Sequence, residues 1–136
     1  MLKKIPAIIG PTCSAKTSLA IKLAKLIDGE IIGLDSRQIY REIPIGTAQP
    51  NEEELKGTKH HLIGCYDLNN TISAGKYAEL VELSIEKIFK KNKNQIICGG
   101  AGLYYRALTK GIFSDSISDL KIRKILDITK FRKFLI

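Results

Sequence analysis

The chain has 136 residues, of which 44% are hydrophobic and 26% charged, a composition typical of one soluble globular domain with a substantial core. Its formal net charge of +8 is compatible either with a polyanionic partner such as nucleic acid or with solvated lysine-rich faces. No apolar run approaches membrane-spanning length, and the three cysteines lack zinc-type spacing and indicate no disulfide framework, so we expect a cytoplasmic protein with no membrane partner.

The first motif is a short apolar run followed by a phosphate-loop pattern. Residues 5–9 predict a buried strand. Residues 10–17 then match G-x-x-x-x-G-K-[ST], except that Ala15 stands where the second glycine is expected. A helix should follow directly, because an apolar face is formed by Leu19, Ala20, Leu23, Ala24 and Ile27.

This order of strand, loop and helix is the order that phosphate binding requires, since the loop and the helix N-terminus present backbone N–H groups to the anion. Lys16 would reach the terminal phosphate, and the Thr17 hydroxyl would ligate Mg²⁺. If Ala15 needs a positive φ, its methyl group costs roughly 1–2 kcal/mol. The alternative is an ordinary turn in which Lys16 is a solvated helix residue. The candidate phosphate-binding residues are Gly10, Pro11, Thr12, Cys13, Ser14, Ala15, Lys16 and Thr17.

Two later strands end in polar or glycine-rich segments. Residues 30–34 predict a second strand that delivers residues 35–38 at its C-terminal end, and residues 95–98 predict a third strand that precedes a glycine-rich turn. In an open parallel sheet this edge carries the ligands. The pattern therefore favours an α/β fold with the polar residues beside the phosphate loop, although Asp35 could instead cap a helix.

The intervening segments predict helices and one histidine pair. Asn51 is a candidate N-cap of a short helix, and a longer amphipathic helix begins at Ser73. The second of these helices has an apolar face through Ala74, Ala78, Val81, Ile85 and Ile88. Adjacent histidines on a strand point to opposite faces, so His60 and His61 make a poor metal site, and we expect structural or substrate-orienting roles for them.

Taken together, the motifs resemble the N-terminal part of the tRNA dimethylallyltransferase (tRNA isopentenyltransferase) family. The resemblance is carried, in order along the chain, by residues 10–17, 35–40, 46–50, 60–62 and 99–104. It implies a P-loop NTPase-like, three-layer α/β/α fold with a parallel sheet, incomplete at the C-terminus. Residues 1–110 would form this core, and residues 111–136 would begin a truncated helical insertion that binds tRNA.

The resemblance also implies a reaction. The family transfers a dimethylallyl group from dimethylallyl diphosphate to the N6 amine of the adenosine adjacent to the anticodon in tRNA. The loop would then bind the diphosphate, with Lys16 and a Mg²⁺ ion on Thr17 stabilising the charge of the leaving group. Asp35 matches the general base. The residues that match tRNA contacts are Asp35, Ser36, Arg37, Gln38, Ala101 and Arg123, where Ala101 replaces the family's threonine.

The expected partners are therefore tRNA and dimethylallyl diphosphate, and the expected cofactor is Mg²⁺, in a monomeric enzyme whose activity the truncation could impair. Two alternatives stay open. One is a small-molecule P-loop kinase that binds ATP, and the other is a non-catalytic remnant that retains the fold.

Overall fold

A computed structural model describes residues 4–100 and 102–110 of the chain. Its strands and helices are β1 (Ala7–Ile9), α1 (Lys16–Leu26), β2 (Gly29–Leu34), α2 (Glu52–Gly57), β3 (His60–His61), α3 (Ala74–Phe89), β4 (Asn94–Gly99) and α4 (Gly102–Lys110). The strands form one parallel sheet in the order β1-β4-β2-β3. The predictions for Ala101, for Arg123 and for residues 111–136 as the start of an insertion lie outside the described residues.

Alternating residues of the central strands pack against helices on opposite faces of the sheet. Ile31 of β2 and Ile96 of β4 form one cluster with the α1 residues Ala20 and Ala24. The next residue along each strand, Ile32 and Ile97, belongs to a second cluster that contains Tyr77, Val81 and Ile88 of α3. The period of two in a strand places these two sets on different faces. This arrangement confirms the α/β fold with helices on both sides of a parallel sheet.

The buried faces of two helices differ in part from the predicted ones. On α1, Leu19 is 55% exposed, because the sheet is contacted by the small residues Ala20 and Ala24. On α3, the fully buried positions include Tyr77 and Ser84 rather than Ala78 and Ile85. The predicted stripe was thus rotated, since the side facing the sheet follows the spacing from Tyr77 through Val81, Ser84 and Ile88.

Both predicted helix starts agree with the structure. The Asn51 side chain accepts a hydrogen bond from Glu54 N, and Glu54 returns one to Asn51 N, a reciprocal capping box. Ser73 caps α3 by accepting from Lys76 N at 3.1 Å. None of the helices in the described part of the chain is long and apolar enough to cross a membrane.

Candidate active site

The loop between β1 and α1 adopts a strained backbone. Ala15 immediately precedes α1 and has φ 56° and ψ 22°, the left-handed region in which glycine has no steric penalty. Cys13, two residues earlier, also has a positive φ of 60°. No side chain among residues 4–100 and 102–110 caps the N-terminus of α1, so within this part of the chain its first N–H groups are available to an anion. Ala15 therefore has the positive φ considered for the position where the phosphate-loop pattern expects glycine.

The Lys16 side chain lies back over this loop. Its Nζ donates to Ser14 Oγ at 3.2 Å and to the Pro11 carbonyl. Ser14 Oγ donates to the same carbonyl at 2.7 Å. The ammonium group is therefore held inside the loop, where a bound phosphate would meet it, and does not extend away from it as a solvated helix residue would.

A cleft of about 350 Å³ brings the loop together with the C-terminal ends of the strands. Residues 12–18 form one wall, and Asp35 and Gln38 contribute to another. Of the residues predicted after β2, Ser36 and Arg37 are exposed and do not line this cleft. The remaining lining residues are Thr47, Ala48, Pro50, Glu54, Cys98, Gly99 and Gly100.

Gly99 lets β4 approach β2 closely at this edge. A Cβ on Gly99 would lie 2.1 Å from the Leu34 carbonyl oxygen, which leaves no room for a side chain. The structure shows that the approaching group at Gly99 is the backbone of Leu34, one residue before Asp35, so the glycine fixes where Asp35 leaves the sheet.

Asp35 is held by hydrogen bonds through both its side chain and its backbone. Oδ1 accepts from the backbone N–H groups of Arg37 at 2.8 Å and Gln38 at 3.2 Å, an Asx turn. The Asp35 N–H donates to the hydroxyl of Tyr77 at 3.2 Å. Oδ2 has no hydrogen bond to any residue in the described ranges, so it is the carboxylate oxygen that can accept a proton from a group in the cleft.

Two glutamines fix the loop that contains Thr47 and Ala48, two residues that line the cleft. Gln38 Nε2 donates to the carbonyls of Thr47 at 3.0 Å and Ala48 at 2.9 Å. Gln49 Nε2 donates to the carbonyls of Gln38 at 2.9 Å and Tyr40 at 2.7 Å. Gln38 was predicted as a tRNA contact, and its amide nitrogen instead holds this loop in place. Sequence reasoning assigned no role to Gln49.

The two histidines make contacts within the protein and do not line the cleft. His61 Nε2 lies 2.6 Å from Glu30 Oε2. His60 Nδ1 lies 2.8 Å from the Thr58 carbonyl, and because a carbonyl only accepts, Nδ1 carries the proton of that hydrogen bond. Burial lowers the pKa of His60 below its ordinary value, which favours the neutral ring.

Comparison with known proteins gives consistent matches. The family model for IPP transferase matches residues 38–133. The tRNA dimethylallyltransferase of Pelagibacter ubique is 48% identical over 120 residues, which cover 88% of this chain and 38% of the relative. The protein of that name from Thermodesulfovibrio yellowstonii is 46% identical over 123 residues, covering 90% and 39%. The chain therefore spans about two fifths of the length of these curated relatives.

Solved structures agree in fold. The full-length tRNA isopentenylpyrophosphate transferase from Bacillus halodurans matches with a TM-score of 0.78 and 36% identity, over 92% of this chain and 42% of that one. A eukaryotic dimethylallyltransferase acting on tRNA matches with a TM-score of 0.77 and 33% identity, over 93% and 32%.

Proposed function

The chain belongs to the IPP transferase family, and on that premise we propose that its cleft binds dimethylallyl diphosphate and serves transfer of the dimethylallyl group to the N6 amine of the adenosine adjacent to the anticodon in tRNA. One observation carries the proposal. Lys16, the cation of the phosphate loop, lines the same cleft as Asp35, whose Oδ2 has no hydrogen bond within the described ranges.

The diphosphate would lie on the phosphate loop. The first N–H groups of α1 and the Lys16 ammonium present positive charge there. Negative charge grows on the diphosphate oxygen as the carbon–oxygen bond breaks, so donors already held in place stabilise the transition state more than the ground state. The strained loop backbone keeps these donors directed at one site.

A magnesium ion fits the donor set of the cleft. The described residues contain no cluster of three or more His, Cys, Asp or Glu side chains that could hold a metal. Mg²⁺ commonly takes only one or two protein oxygens and completes its shell with water and substrate phosphate. Thr17 lines the cleft, and its hydroxyl would hold the ion, which when bound would neutralise charge on the diphosphate.

Asp35 would accept the proton of the attacking amine. An exocyclic amine is a poor nucleophile, and a carboxylate that takes its proton during attack makes the new carbon–nitrogen bond easier to form. The Asx turn on Oδ1 leaves Oδ2 for this role. The adenosine would have to leave the base stack to reach the cleft.

The test is transfer of label from radiolabelled dimethylallyl diphosphate to unmodified tRNA by the purified chain. We expect Asp35→Asn to reduce transfer by about 10²–10⁴-fold while diphosphate binding, measured by calorimetry, is retained. Asp67→Asn is the matched control, because Asp67 is an exposed carboxylate paired with Arg41 outside the cleft.

Lys16→Ala should abolish diphosphate binding, whereas Lys22→Ala, an exposed lysine on the same helix, should leave it unchanged. If the chain transfers phosphate from ATP but no dimethylallyl group to tRNA, it is a kinase and the proposed function is wrong. Diphosphate binding with no transfer under any condition would show a non-catalytic binding protein.

A further inference from the structure

Tyr77 is a buried residue whose hydroxyl makes two hydrogen bonds to the backbone beside the cleft. The side chain is fully buried on the first turn of α3. Its Oη donates to the Gly33 carbonyl at 2.7 Å and accepts from the Asp35 N–H at 3.2 Å. These partners are more than forty positions away along the chain, and they flank the last residue of β2.

The Gly33 carbonyl and the Asp35 N–H, which Tyr77 contacts, lie past the point where β3 stops pairing with β2. The Ile31 N–H donates to the Lys59 carbonyl at 2.9 Å, so this side of β2 faces β3. Successive residues of a strand direct their N–H and C=O groups to alternate sides, which places Gly33 and Asp35 on the same side as Ile31. The pairing with β3 stops at Ile32.

The Tyr77 hydroxyl therefore takes the place of a strand at the point where the sheet ends. A hydroxyl can donate one hydrogen bond and accept another, so one group satisfies both the carbonyl and the amide. Without it, two backbone groups would lie beside a buried side chain with no partner, which is unfavourable.

The ring that carries this hydroxyl is itself fixed. It packs on Tyr104 of α4 with the ring centroids 4.4 Å apart at an angle of 34°, and Tyr104 Oη donates to the Ile72 carbonyl at 3.2 Å. Burial raises the pKa of the Tyr77 hydroxyl well above its ordinary value of 10.0. The raised pKa keeps the hydroxyl protonated, and so a donor to Gly33, at neutral pH.

We propose that Tyr77 is the positioning residue for Asp35: its hydroxyl ties the backbone of Asp35 to helix α3 and so fixes the carboxylate in the cleft. This proposal rests on the proposed role of Asp35 as the proton acceptor. The Asx turn alone orients the carboxylate relative to residues 37 and 38, which are themselves part of a loop. The Tyr77 hydrogen bond connects the backbone of Asp35 itself to a packed helix.

The test compares Tyr77→Phe with Tyr104→Phe. Each variant keeps its ring and loses one hydroxyl, but only the first hydroxyl touches Asp35. In Tyr77→Phe we expect the backbone amide of Asp35 to exchange with deuterium about tenfold faster, which corresponds to one hydrogen bond. The amide of Ile96 in the core reports the general loss of stability that the missing hydroxyl causes, and it should be accelerated less than the amide of Asp35.

Transfer kinetics supply the second readout. Displacement of the carboxylate should lower kcat of Tyr77→Phe by about 10–100-fold, while KM for dimethylallyl diphosphate and the diphosphate Kd are unchanged. Tyr104→Phe should match the wild type in exchange and in kcat.

The two readouts separate the possible failures. Unchanged Asp35 exchange in Tyr77→Phe, or faster exchange with an unchanged kcat, would overturn the proposal. Equal acceleration at Asp35 and Ile96 would also overturn it, since it would show a general loss of stability. If the wild-type chain transfers no dimethylallyl group, the proposed function fails, and the exchange comparison still decides whether Tyr77 holds Asp35.

Discussion

Replacement of Ala15 by glycine should stabilise the folded chain without changing its affinity for diphosphate. Ala15 has φ 56° and ψ 22°, and the left-handed conformation costs a residue with a Cβ roughly 1–2 kcal/mol. Glycine is free of this cost but loses about 0.5–1 kcal/mol more backbone entropy on folding. The difference leaves a net gain of about 0.5–1 kcal/mol, which raises Tm by about 2–5 °C for a chain of this size.

The affinity should stay constant because the strain is present before any anion binds. Ala15 already has a positive φ in the free loop, so the free and bound forms carry the same cost, and it cancels in the binding free energy. A substitution changes affinity only through its difference between the two forms. Isothermal calorimetry with diphosphate and urea denaturation of both proteins measure the two quantities separately.

Asn92→Gly is the matched control for this change. Asn92 has a similar φ of 57°, but asparagine tolerates the left-handed region far better than alanine does, so the gain there should be smaller. The reasoning is refuted if Ala15→Gly destabilises the chain or gains no more than Asn92→Gly. A tenfold change in diphosphate affinity would show that the loop changes its backbone conformation on binding.

Two further predictions concern a buried charge and an exposed thiol. Burial raises the pKa of Glu30, but hydrogen bonds from His61 and Lys91 outweigh it, and the net pKa lies below the ordinary 4.5. The stabilisation that ionised Glu30 gives the folded chain is therefore present above about pH 4.5, and it is lost as the pH falls through the lower pKa that Glu30 has in the folded state. Glu30→Gln should cost about 1–3 kcal/mol in urea denaturation at pH 7, with a deficit that shrinks toward pH 3, and a pH-independent deficit would contradict this. Diphosphate should slow alkylation of Cys13, which lines the cleft, but not of Cys65, which is exposed elsewhere. Mass spectrometry measures both rates, and a Cys13 rate that is the same with and without diphosphate would place the anion away from the loop.

Local sequence patterns were sufficient to predict at which edge of the sheet the cleft lies, because the C-terminal ends of parallel strands meet at one edge. The run at residues 30–34 is buried along its whole length, and its end delivers Asp35 to the same edge as the phosphate loop. The positive φ of Ala15 could also be anticipated, since the pattern expects glycine there and the backbone geometry is set by the loop rather than by the residue type.

The contacts that hold Asp35 could not be predicted in this way. Hydrophobic periodicity treats Tyr77 as one more position on a helix, and it carries no information about a hydroxyl partner more than forty residues away. The same limit applies to Gln49, whose amide reaches carbonyls nine and eleven residues earlier. Such pairs depend on where two loops lie relative to the sheet, which is a property of the packed structure.

The two walls of the cleft are held by different interactions, and this difference predicts which variants alter diphosphate binding and which alter kcat. The phosphate loop depends on backbone conformation, with Cys13 and Ala15 at positive φ and its side chains exposed or half-buried. The wall that carries Asp35 depends on the hydrogen bond that the Asp35 N–H donates to the buried Tyr77 hydroxyl. It also depends on those that Gln38 Nε2 donates to the carbonyls of Thr47 and Ala48. Changes in the first wall should therefore alter diphosphate binding and stability, whereas changes behind the second should alter kcat with little effect on binding. A variant of Tyr77 that weakened diphosphate binding as much as Lys16→Ala does would show that the walls are not independent.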